Sequence, residues 1–366
     1  MKFKIKRQDL INSVNIVEKA VSVKSTINIL EGIYIEAKEN EVIFIGNNLE
    51  LCIICKIPAE IESEGRLVVK ANLFSSAVKK LPDFDDEAFI ETDENSNIIL
   101  SCGNAKFNFS TASAEEFPKP SSSFENEKKL LIKENILKSM IRQTVYAVAQ
   151  NDIKPYLAGV YFNLENNILD VVGCDSYRLA IRSEEIVSEN VSFIIPGKTA
   201  KELCNILGES EKEVYIKLSD KNAVFEFNNF VLISRLIDGN YLNYKSLTET
   251  ESKLSVVTET KLILDSVDRA SLITSEATKT YVILNIENDY IYVNCETVFG
   301  KVNDKISVNM SGEPIKIAFN PRYLLEAFKN IDSQKIKIEF GGPRNPISIK
   351  PLEGNNFTSI VVPVKF

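Results

Sequence analysis

No histidine occurs in the chain, which removes the commonest general base, the commonest zinc ligand and every Ser-His or Cys-His nucleophile pair. Six cysteines remain, at positions 52, 55, 102, 174, 204 and 295 of 366, with neither the density nor the spacing of a disulfide framework. Cys52 and Cys55 form a C-x-x-C, but the surrounding LCIICKI alternates like a β-strand. Residues three apart on a strand point to opposite faces and cannot chelate one ion, so buried free thiols are expected, with no metal and no cofactor. There is no G-x-x-x-x-G-K-[ST], no G-x-G-x-x-G after a strand, and no carboxylate in an apolar setting that would tune it for catalysis. What stands out instead is a polar corner, Asp175-Ser176-Tyr177-Arg178, inside KPYLAGVYFNLENNILDVVGCDSYRLAIR, residues 154–182.

The elements that carry this corner are two strands, 160–164 and 168–173, joined by an Asn-Asn turn, and then a return to apolar residues. The same plan recurs along the chain. A shift of 127 residues without gaps superposes Ile5 on Ile132, Leu10 on Leu137, Leu30 on Leu157, Gly32 on Gly159, Tyr34 on Tyr161 and Gly46 on Gly173. A fainter third copy runs through KLSVVTETKLILDSVDRASLI, 253–273, and the hairpin YVILNIENDYIYVNCE, 281–296. Within each copy a second strand-helix unit follows, at 65–81, 191–207 and 313–331, and three strands close it. A period this long is that of whole domains.

The expected fold is therefore α+β: three tandem domains, 1–118, 129–246 and 253–366, each of two β-α-β-β-β halves. The linkers 118–129 and 246–253 are polar and, in the first, rich in Pro and Ser. Each domain is expected to hold two helices and about eight short, mostly antiparallel strands, with the helices covering one face of the sheet.

A hydrophobic fraction of 44% and a charged fraction of 26% are those of a globular protein. No apolar run approaches the roughly 18 residues of a membrane span, and the start, MKFKIKRQDLIN, returns to charge too soon for a signal peptide, so a cytoplasmic location and no membrane are expected. The net charge of −8 argues at first against nucleic acid. The six predicted helical stretches (7–24, 70–81, 133–150, 197–208, 259–271 and 320–332) nevertheless carry 15 Lys and Arg against 9 Asp and Glu, out of 43 and 51 in all. Cationic helices on an otherwise acidic chain fit one surface for a polyanion, followed through phosphates without reading sequence.

At this point the blocks KPYLAGVYF, CDSYRLAIR, IIPGK (194–198), RLIDGNYLNY (235–244), FNPRYLLEAF (319–328) and the C-terminal VVPV, in that order and spacing, are together specific. The chain resembles the bacterial sliding clamp family, the beta subunits of DNA polymerase III, over its full length. The resemblance implies three clamp domains with helices inside and sheets outside, closed as a ring-shaped head-to-tail homodimer around duplex DNA. It implies a processivity factor without catalytic activity of its own, placed by a clamp loader and tethering the replicative polymerase and other replication and repair proteins.

The resemblance also implies a hydrophobic peptide-binding groove between the second and third domains. By matching motif it maps to Leu157, Cys174, Ser176, Tyr177, Arg178, Leu179, Leu242, Leu247, Asn320, Tyr323, Pro346, Val361, Val362, Pro363 and Val364. The family more often has Thr, Gly and His where Cys174, Ser176 and Tyr177 stand, Pro at Leu242 and Arg at Ser246. DNA-facing candidates are Lys24, Lys79, Lys80, Lys138, Arg142, Lys198 and Lys201, and subunit-interface candidates are Phe107, Leu272 and Ile273. Two other classes stay open beside this one: a peptide-binding repeat adaptor that does not bind DNA, and an enzyme with a carboxylate site, for which no constellation is found.

Overall fold

The amphipathic stretches fold as six α-helices: α1 (Arg7–Val17), α2 (Ala71–Val78), α3 (Glu134–Val145), α4 (Gly197–Ile206), α5 (Thr260–Ser271) and α6 (Pro321–Lys329). The structure, a computed structural model, describes residues 1–120, 128–150, 154–248, 251–274 and 280–366. Residues 121–127 and 249–250 of the two predicted linkers lie outside the described residues. In α1 the buried stripe is Leu10, Val14 and Val17, the spacing of one helical face. At α6 the Asn320 side chain accepts from the Arg322 N–H and Pro321 opens the first turn, where its missing N–H costs nothing.

Several helices are shorter than the pattern predicted. The first gives way to a 3₁₀ turn at Glu18–Ala20, so Lys24 lies in the following loop, and the third stops at Val145 rather than at 150. The reason is local: beyond Val17 and Val145 the next apolar residues turn back onto a strand instead of continuing a helical stripe. Gly46 marks this in the first repeat and Gly173 in the second. A Cβ on Gly46 would lie 2.2 Å from the Val17 carbonyl oxygen, and one on Gly173 would lie 2.1 Å from that of Thr144. Glycine at both sites lets a helix end rest directly on the strand backbone.

The chain forms two compact units, Met1–Asn135 with Asn205–Leu236, and Ile136–Cys204 with Ile237–Phe366. The first holds a five-stranded and a nine-stranded sheet, the second a nine-stranded and a four-stranded sheet, and every strand pair is antiparallel. In the first unit α1 packs on α2 and on strands Glu41–Asn47 and Leu51–Pro58. In the second, α5 packs on α6 and on strands Tyr290–Thr297 and Gly300–Ser307. The three repeats contain ten, eight and nine described strands rather than eight each.

The repeats do not close their sheets separately. In the first unit, strand Leu51–Pro58 of repeat one pairs with strand Phe230–Arg235 of repeat two, with Leu51 opposite Ser234. In the second unit, Arg178–Glu185 of repeat two pairs with Asn356–Val361 of repeat three, with Arg178 opposite Val361. Both partners have moved by the same 127 residues, so the junction repeats along with the domains.

Candidate functional site

The polar corner begins where the hairpin of Gly159–Glu165 and Ile168–Cys174 ends. Its Asn166-Asn167 turn takes φ of 54° and 63°, the left-handed pair that matches strand twist and suits asparagine. Asp175 then organises the corner: one carboxylate oxygen accepts the N–H groups of Tyr177 (2.7 Å) and Arg178 (2.9 Å), and the other accepts Arg178 Nε at 3.1 Å. Arg178 is buried, and its guanidinium reaches across to pair with Glu326 on α6. It lies over two aromatic faces, 5.4 Å from the Tyr146 ring centroid and 4.9 Å from that of Tyr323. The paired carboxylates satisfy a charge that burial would otherwise make costly.

Outside Arg178, the Tyr177 ring stacks on Tyr323 at 5.6 Å and remains half-exposed. The C-terminal tail runs beside it: the Val362 N–H donates to the Tyr177 carbonyl (2.9 Å) and the Val364 N–H to that of Ala318 (2.8 Å). Asn320, Tyr323 and Val364 line a cavity of about 800 Å³ that also takes in Tyr281, Leu325 and Lys329. Beside the corner, Leu157, Cys174 and Leu179 are buried in one apolar cluster with Val172, Ile181 and Ile360, and Leu242 packs on it. Tyr156, Tyr161 and Tyr241 extend this wall, Tyr161 stacked on Tyr241 at 4.5 Å.

The structure thus gathers most of the predicted groove residues into two adjoining groups, an apolar wall and an aromatic corner. Val361 is fully buried in the strand below, Val362 is exposed, and Pro363 is half-buried. Leu247 is exposed in the 3₁₀ turn Lys245–Leu247, its N–H donating to the Tyr244 carbonyl at 3.1 Å, and is not part of the apolar cluster. Ser176 is exposed at the turn of the corner, while Pro346 precedes strand Ile347–Pro351 and falls in neither group.

Sequence reasoning missed Glu326, Tyr146, Tyr241 and Tyr244. Glu326 had a signal, since it stands three residues after Tyr323 on the same helix face. Tyr244 donates to Asp170 at 2.7 Å and accepts from Asn163 at 3.1 Å, a network under the wall. Burial raises the Tyr241, Tyr244 and Tyr323 hydroxyls above their ordinary range and pushes Tyr146 up to about 12, so all four are neutral at physiological pH. Burial likewise pushes the Cys52 and Cys55 thiols up to about 12 and about 11. Among the described residues, no group of three His, Cys, Asp or Glu side chains could hold a metal ion. The arrangement is one of an apolar wall beside an aromatic corner, suited to binding an extended apolar segment.

Of the DNA-facing candidates, Lys24, Lys80, Lys198 and Lys201 are exposed, whereas Lys79 pairs with Glu18 at 2.9 Å and Arg142 pairs with Asp332. Lys138 is half-buried on α3, with Cys204 Sγ donating to its carbonyl at 3.6 Å. Phe107 lies half-buried on the outermost strand of the five-stranded sheet, Ala105–Phe109, its ring parallel to that of Phe109. Leu272 is 80% exposed after α5, while Ile273 packs on the core of its own unit.

Comparison with known proteins accounts for the whole chain. The DNA polymerase III beta subunit families match in tandem: N-terminal domain over residues 1–121, central domain over 131–243 and C-terminal domain over 245–365. The beta sliding clamp of Bacillus subtilis (strain 168) is 34% identical over 379 residues, covering 100% of both chains. The crystal structure of the DNA polymerase sliding clamp from Bacillus subtilis superposes with a TM-score of 0.94 at 33% identity, over 100% of this chain and 99% of that one. That of a putative DNA polymerase III beta subunit from Eubacterium rectale gives 0.92 at 33% identity, covering both in full.

Proposed function

The chain belongs to the DNA polymerase III beta subunit family and is a DNA sliding clamp, and from this premise we propose how it holds DNA and partners. It works as a ring-shaped head-to-tail homodimer around duplex DNA, with no catalytic activity of its own and no cofactor. The replicative polymerase, the clamp loader and other clamp-binding proteins dock by short apolar peptides on the wall and corner built from Leu157, Cys174, Tyr177, Leu179, Leu242 and Tyr323. The three clamp domains are 1–118, 129–246 and 253–366. No helix among the described residues is long and apolar enough to cross a membrane, and the site of action is the cytoplasm, where the DNA is.

The observation that carries the ring is the repeated strand junction. The five-stranded sheet ends on Ala105–Phe109, the repeat equivalent of Phe230–Arg235 and Asn356–Val361. The four-stranded sheet ends on Gly300–Ser307, the equivalent of Leu51–Pro58 and Arg178–Glu185. Pairing these two edges between copies completes a third nine-stranded sheet, with Phe107 facing Val302 where the first junction has Leu232 facing Ile53. A heterologous contact of this kind closes into a ring and pairs the two edges that Ala105–Phe109 and Gly300–Ser307 leave open within one chain. Topology then holds the DNA, so the lysines need only weak, mobile phosphate contacts.

The test is retention after loading onto circular DNA. The clamp is expected to stay on closed circles and to run off once they are linearised, and to bind a Gln-Leu-x-Leu-Phe peptide that deletion of residues 361–366 abolishes. Equal loss from circular and linear DNA with peptide binding intact favours a peptide-binding adaptor instead.

A further inference from the structure

We infer that Phe299 is an anchor for a second copy of this chain, docking on the exposed Leu73 of that copy's α2. The inference rests on the head-to-tail ring and names side chains that the strand pairing alone does not. Each repeat carries a two-residue turn at the same place: Leu49-Glu50, Ser176-Tyr177 and Val298-Phe299, flanked by the pairs Asn48 with Leu51, Asp175 with Arg178 and Thr297 with Gly300. The second residue of the turn has a fixed job in both junctions inside the chain. The Glu50 carbonyl accepts the Arg235 N–H at 2.8 Å, and the Tyr177 carbonyl accepts the Val362 N–H at 2.9 Å. Arg235 and Val362 stand one residue beyond Ser234 and Val361, the partners of Leu51 and Arg178. The matching acceptor in the third turn is the Phe299 carbonyl, and the matching donor is the Ser110 N–H of the second copy.

The side chains follow from the same correspondence. Tyr177 lays its ring on Tyr323, the third residue of α6. The residue at that position of α2 is Leu73, since both helices begin directly after their caps, Lys70 and Asn320. In each helix the next residue inward, Phe74 or Leu324, is fully buried, so the two helices present the same face. Leu73 is 54% exposed and Phe299 76% exposed, with Val298 beside it at 89%. Two adjacent apolar side chains on a hairpin tip are costly in water and are the usual composition of an interface centre. The charges flanking the tip, Glu296 and Lys301, are already paired with each other at 3.1 Å, so the contact offered is apolar.

The experiment measures the dimer dissociation constant of the full chain by sedimentation, wild type against Phe299→Asp and Leu73→Asp. Each is expected to raise it about 30-fold or more, the scale of an interface hot spot. Both positions are exposed, so far-ultraviolet circular dichroism and thermal melts of the separated chains should match wild type. A chain carrying Phe299→Cys and Leu73→Cys should give a covalent dimer with a short bismaleimide, while wild type and either single change should not. A wild-type dimer whose dissociation constant Phe299→Asp leaves within about twofold, or whose double-cysteine form fails to crosslink, overturns the contact and spares the ring. A wild type that is monomeric throughout overturns both.

Discussion

The Tyr177 ring lies 5.6 Å from the Tyr323 ring at an interplanar angle of 17°, one contributed by the turn of a hairpin and the other by α6. Offset stacking of this kind fixes two large side chains with little rotamer freedom left, which makes a preformed aromatic shelf beside the C-terminal tail. Replacing either by Ala should weaken capture of a Gln-Leu-x-Leu-Phe peptide about tenfold, because aromatic pairs contribute roughly 1 kcal/mol beyond the area they bury. The double substitution should cost less than the two together, since each single change already breaks the shelf. Fluorescence titration of the four proteins checks this; strict additivity would mean that the stack does not form in the free clamp.

Arg178 shows how the polar corner is stabilised from below. Its guanidinium is shared between Asp175 and Glu326 with a tyrosine on either side, so Arg178→Ala strands two carboxylates in a largely buried setting. A loss of about 3–5 kcal/mol is expected in urea unfolding of this unit, the usual cost of removing one partner of a buried pair. Adding Glu326→Gln to Arg178→Ala should recover part of it, because the second orphan charge is then gone. No recovery would place the cost in lost packing on Tyr146 and Tyr323 instead.

Much of this was legible in the sequence, for reasons of period. Strands and helices declare themselves by spacing, the Asn166-Asn167 turn by residue type, and the domain repeat by Gly32 on Gly159 and Gly46 on Gly173. The predicted groove residues came by resemblance, and the structure brings most of them near one another. What stayed hidden was long-range. Nothing near Arg178 says that its partners are Tyr146 and Glu326, and nothing in Leu51–Pro58 says that it pairs with Phe230–Arg235 rather than within its own repeat. Nor does a lysine's type reveal that Lys79 faces Glu18 while Lys198 faces solvent.

The glycines at the helix ends make a sharper test of the repeat. Gly173→Ala would put a methyl 2.1 Å from the Thr144 carbonyl oxygen, and Gly46→Ala one 2.2 Å from that of Val17. Both obstacles are backbone, so the helix end must move, at an expected cost of about 3 kcal/mol in each case. Urea midpoints should fall by similar amounts for the two variants. Gly173→Ala should in addition weaken peptide capture, since Cys174 and the corner follow it directly. An unchanged midpoint at either site would show that the helix end does not rest on the strand there.

Alkaline pH should unfold the second unit through its buried tyrosines. Burial raises the Tyr146 hydroxyl from its ordinary 10 to about 12, against the opposing hydrogen bond with Ser359, and raises Tyr241 and Tyr244 as well. In the unfolded chain these hydroxyls ionise near 10, so above that pH the native state holds more protons than the unfolded one. Stability is therefore fully present below pH 10 and is lost as pH rises from 10 toward about 12. Urea midpoints followed across that window should decline, in step with the rise of tyrosinate absorbance. Tyr146→Phe should flatten the decline while lowering the plateau by about 1 kcal/mol, the worth of the lost hydrogen bond to Ser359. A decline of the same slope in that variant would assign the alkaline loss to Tyr241 and Tyr244 alone.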